Sequence, residues 1–67
     1  MSTATTVSLL RWLRRQMREP TPQRERLEAA IENDDPAEVR MLVARMSFND
    51  VQRRHIDGLL DRWERER

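Results

Sequence analysis

A chain of 67 residues has room for one small domain, and without cysteine it has no disulfide, zinc–thiolate site or redox thiol to hold it together. Charged residues make up 37%, but they nearly cancel to a net +1, which argues against disorder driven by self-repulsion and against the overall positive charge usual in phosphate binders. One histidine, His55, cannot build a metal site alone, and one glycine, Gly58, cannot form a glycine-rich phosphate loop.

Residues 1–5 are small and polar and are expected to fray. The first helix is expected over 6–19, capped by Thr5 or Thr6 and stopped by Pro20. At about 100° per residue, Leu9, Leu10, Trp12, Leu13 and Met17 share one side, with Gln16 among them. Arg11, Arg14, Arg15 and Arg18 share the other. Arginine supplies every basic residue in the chain, which a GC-rich genome explains without any function. Its functional use is planar, bidentate contact with carboxylate or phosphate. A face of four arginines beside Trp12 suits nucleic-acid phosphates, an anionic membrane, an acidic protein surface or this chain's own acidic middle. Residues 1–24 carry +4, residues 25–50 carry −4 and residues 51–67 carry +1. The first 18 residues also have transit-peptide composition, with no acid before Glu19, so a mitochondrial address stands as the minor alternative to the cytoplasm.

The second helix is expected over 22–32, capped by Thr21 with Pro22 at its first position. Asn33-Asp34-Asp35-Pro36 is a turn, and Asp35 and Glu38 approximate a capping box for a third helix over 36–46. The stretch from Leu27 to Val43 resembles the helix–turn–helix body of an ankyrin repeat. It covers one unit, lacks the Thr-Pro-Leu-His start and has no second copy, so the resemblance implies an antiparallel helix pair and carries no function.

The third helix has two apolar faces. Val39, Leu42, Val43 and Met46 form one; Ala37, Met41 and Ala44 form the other. Such a helix is either central or exposed at an interface, and methionine and alanine suit an adaptable protein-binding surface. As a reading helix of a helix-turn-helix it is poor, because Glu38 at its start repels phosphate.

The fourth helix is expected over 49–65, capped by Ser47 or Asn49. Val51, His55, Ile56, Leu59, Leu60 and Trp63 fall on a wide arc, broader than one small neighbour needs. Either the first helix folds back over it or a second chain covers it. Gly58 inside this helix is either a site of close helix approach or tolerated at about 1 kcal/mol relative to alanine. Ser47 and His55, with Asp50 and Asp57 nearby, have no spacing that fixes a catalytic triad.

The expectation is therefore an all-α bundle of three to four short helices in one domain, 1–67, completed by dimerisation. The expected function is non-enzymatic, with no cofactor and no metal. It is a regulator, adaptor or inhibitor that docks helical faces onto a larger protein through Met41, Ala37, Ala44, Ile56, Leu60, Trp63 and Trp12. The alternative is a nucleic-acid-binding regulator using Arg11, Arg14, Arg15 and Arg18. A membrane-surface or targeting role for the first helix comes third.

Overall fold

The computed structural model describes residues 3–67, which form four α-helices and, among the described residues, no strand. They are α1 (Ala4–Gln16), α2 (Pro22–Glu32), α3 (Pro36–Arg45) and α4 (Asp50–Glu66). Two starts follow directly from a capping residue placed before proline. The Thr21 side chain accepts from the Arg24 N–H, and the Asp35 carboxylate accepts from the Glu38 N–H at 3.1 Å. No return bond from the Glu38 side chain completes a capping box there. Asn49 rather than Ser47 caps α4, and its box is complete: Gln52 N–H donates to Asn49 at 2.8 Å, and Asn49 N–H donates to the Gln52 side chain at 2.9 Å.

The first helix is displaced from its expected limits at both ends. Thr3 is the cap, in a reciprocal box with Thr6, so Thr5 and Thr6 lie inside the helix and are buried. The Thr5 hydroxyl donates to Glu66 Oε1 at 2.7 Å, tying the start of α1 to the end of α4. Residues 3–5 are thus held in place; the remainder of the segment expected to fray, residues 1–2, lies outside the described residues. At its other end α1 stops at Gln16, not Glu19. Pro20 disfavours helical geometry at Glu19. Arg24 then takes over the freed carbonyls, its Nη1 donating to Met17 O at 3.0 Å and Arg18 O at 3.1 Å.

The helices form a ring in chain order. Each of α1 and α3 packs against both α2 and α4, while the diagonal pairs make no close backbone approach among the described residues. Contacts at both ends, Thr5 with Glu66 and Gln16 with Gln52 at 2.8 Å, fix α1 antiparallel to α4. The bundle therefore has two layers, α1/α4 and α2/α3. Between them lies a core that includes Leu9, Leu13, Leu27, Val39, Ile56 and Leu60. Trp63 is 0% exposed. Of the wide apolar arc of α4, Ile56, Leu60 and Trp63 are buried within the chain's own bundle, which packs α1, folded back through the Met17–Thr21 connector, and α3 against α4; Leu59 is half-buried, His55 is exposed and Val51 is 76% exposed.

The α2–α3 turn is a Schellman closure. Asp35 N–H donates to Ala30 O at 3.0 Å and Asp34 N–H to Ile31 O at 3.1 Å. Asp34 occupies the left-handed position, φ 56°, where glycine is usual. Gly58 faces solvent, with nothing within 4 Å of an added Cβ, so it serves no close helix approach.

Candidate functional site

Seven residues carried the expected protein-binding surface, and the structure divides them into three groups. Ala37, Met41 and Ala44 lie together on the exposed crest of α3, with Met41 56% exposed. Ile56, Leu60 and Trp63 are buried in the core and present nothing to a partner. Their helix periodicity was right, but they are buried within the same chain, whose α1 and α3 both pack against α4. Trp12 lies on the far layer, half-buried at the α1–α4 seam. Its ring centroid is 5.9 Å from Phe48 and 5.1 Å from His55.

Beside the α3 crest runs a groove that no single helix pattern shows. It follows the α2–α3 seam, with a volume of about 480 Å³. Met17, Leu42 and Met46, all half-buried, form its apolar floor, and Arg26 and Arg45 stand on its rim. Farther along the seam, the same two arginines and Leu42 border a second depression of about 370 Å³ that reaches Asp35 and Glu38. Helix periodicity places Leu42 and Met46 on the inner apolar face of the third helix. Both are only half-buried, whereas Leu27, Ala30 and Ile31 are the buried residues of α2.

The chain's ion pairs decide which arginines remain available. Arg14 Nε bonds Glu28 Oε1 at 2.8 Å, and Arg24 Nε lies 3.9 Å from the same oxygen. Arg40 on α3 gathers three carboxylates of α4: Asp61 at 2.7 Å, Glu64 at 2.7 Å and Asp57 at 3.8 Å. The hydrogen bond to Glu64 raises its guanidinium pKa further against partial desolvation, with Asp61 adding to the effect, so Arg40 stays cationic. Arg26 and Arg45 have no carboxylate within 4.0 Å among the described residues.

The four-arginine face of the first helix is also changed. Arg14 turns toward α2 and its glutamate. Arg18 lies beyond the end of α1, in the connector. Arg11 and Arg15 remain on the exposed side of the helix, without a carboxylate partner among the described residues. The acidic middle segment therefore neutralises Arg14, and not the whole face.

No constellation for catalysis is assembled from the candidates considered in the sequence. Ser47 lines the groove, whereas His55 stacks on Trp12. Among the described residues no three His, Asp or Glu side chains gather as a metal site, and no helix is long and apolar enough to cross a membrane. Comparison with protein-family models, curated proteins and solved structures returns no match.

Proposed function

We propose that this chain is a non-enzymatic protein-interaction module that docks its α2–α3 layer onto a segment of a larger protein, acting as a regulator, adaptor or inhibitor of it. The observation that carries this reading is the groove itself, with its floor of Met17, Leu42 and Met46 and its rim of Arg26 and Arg45. Methionine packs against irregular apolar shapes, and arginine without an internal partner pairs with carboxylate. The matching partner is an amphipathic helix that places apolar side chains in the seam and acids on its border. The exposed crest of Ala37, Met41 and Ala44 continues this surface across α3.

Affinity capture from the source cells tests the reading when wild type is run beside two variants, Met41→Glu and the double variant Arg26→Glu, Arg45→Glu. The reading expects one protein captured in stoichiometric amount by wild type and lost with both variants. Equal capture by all three, or none by wild type, contradicts it. A second copy of the chain is the competing occupant, and light scattering across a concentration series separates the two.

A further inference from the structure

The acids of α4 are not evenly spread around it. In sequence the helix looks charge-mixed, with Arg53, Arg54, Arg62 and Arg65 among Asp50, Asp57, Asp61, Glu64 and Glu66. In the bundle Arg40 draws Asp57, Asp61 and Glu64 to the α3 side. Arg53 is turned back onto the Phe48 and Met46 carbonyls. At about 100° per residue, one arc of the solvent-facing side of α4 holds Val51, Arg54, Gly58, Arg62 and Arg65, with His55 at one edge and Asp61, already bonded to Arg40, at the other. Glu66, 3.9 Å from Arg62, borders it and is already engaged by Thr5. Across the α1–α4 seam stand Arg11 and Arg15, on a helix that contains no acid at all. The net charge of +1 hides this segregation.

We propose that the α1–α4 layer is a second binding site, for the phosphate backbone of nucleic acid, formed by Arg11, Arg15, Arg54, Arg62 and Arg65. It lies on the opposite side of the bundle from the α2–α3 groove, so it stands or falls independently of the protein-docking reading. The dimensions suit the ligand. Arg54 and Arg65 are about 16 Å apart along the helix axis at about 1.5 Å per residue. That span corresponds to roughly five phosphates of one strand counted along the duplex axis at about 3.4 Å each. Gly58, between them and open to solvent, lets a backbone approach the helix closely. The residues offered are charge donors on a smooth helix surface, which positions a strand without reading its bases.

A membrane surface is the competing polyanion. It is disfavoured because the apolar side of α1 is built into the core: Leu9 is 0% and Leu13 is 1% exposed. Neither is available to insert among lipid tails, which an interfacial helix requires.

The test is fluorescence anisotropy with a labelled 20-base-pair duplex and the matching single strand, run between 50 and 200 mM salt beside vesicles containing phosphatidylserine. Five phosphate contacts on the duplex imply an affinity loss of about 500-fold over that range. The triple variant Arg54→Gln, Arg62→Gln, Arg65→Gln should bind more weakly and lower the magnitude of the salt slope by nearly three. The double variant Arg11→Gln, Arg15→Gln should lower it by nearly two, while lysine at all five positions should keep a wild-type slope. Circular dichroism confirms that the variants remain helical. Duplex binding unchanged by both glutamine variants overturns the proposal, as does failure to bind either nucleic acid at 50 mM salt. Vesicle binding without nucleic-acid binding overturns it in favour of a lipid surface.

Discussion

The indole of Trp63, wholly buried near the end of α4, donates its Nε1–H to Asp34 Oδ1 at 2.9 Å, and Asp34 sits in the left-handed turn between α2 and α3. One bond thus joins the last helix to the hairpin of the opposite layer. It also explains why an aspartate occupies a position that favours glycine. A buried N–H left without an acceptor costs about 1–3 kcal/mol, comparable to the roughly 1–2 kcal/mol of left-handed strain at a residue with a Cβ.

Substitutions at Asp34 separate these two terms. Asn keeps an acceptor and tolerates the left-handed turn, so Asp34→Asn should stay within about 0.5 kcal/mol of wild type. Asp34→Gly removes the strain but orphans the indole, for a net loss of about 1 kcal/mol; Asp34→Ala keeps the strain and orphans the indole, losing about 2–3 kcal/mol. Urea denaturation ranks the three. Gly matching Asn would remove the hydrogen-bond argument, and Ala matching Gly would remove the strain argument.

The hairpin was legible in the sequence because Asp35 precedes Pro36, just as Thr21 precedes Pro22, and each pair combines a cap with a residue preset for a helix start. The start of α1 was not. Thr3, Thr5 and Thr6 can all cap, and the choice falls to Thr3 because Thr5 is needed at Glu66 and Thr6 completes the box. The fate of Trp63 was equally closed to sequence reading, since a stripe on one helix has the same periodicity whichever chain covers it. The groove belongs to no single helix pattern, because Met17, Leu42 and Met46 meet only once the seam forms.

Leu60 and Met41 were grouped together in sequence and are now separated by burial. Leu60→Ala should cost about 2–5 kcal/mol, a large share of the stability of so small a domain. Met41→Ala should stay within about 0.5 kcal/mol. Equal effects in thermal denaturation would contradict the packing described.

Gly58→Ala should stabilise the protein by about 0.5–1 kcal/mol, because the position is helical, solvent-facing and open around the added methyl group. For a domain of this size that raises Tm by roughly 2–8 °C. A lower Tm would mean that something packs over this side of α4.

Arg40 gathers three carboxylates on a partly exposed surface, so Arg40→Ala should cost about 1 kcal/mol at low salt. Arg40→Lys should recover only part of it, because Nε meets Glu64 while Nη2 meets Asp61, a fork that an ammonium cannot copy. At 1 M salt the gap between wild type and Arg40→Ala should narrow in urea titrations. A salt-independent gap would point to lost packing by the arginine stem instead.

The most direct test of protein docking through the α2–α3 layer is photocrosslinking in the source cells. A crosslinking side chain is placed at Met41 in one protein and, as a reference, at Ser8 on the exposed side of α1 in another. The account predicts a discrete protein adduct from position 41 and none from position 8. Identical adducts from both positions, or no adduct from position 41, would contradict it.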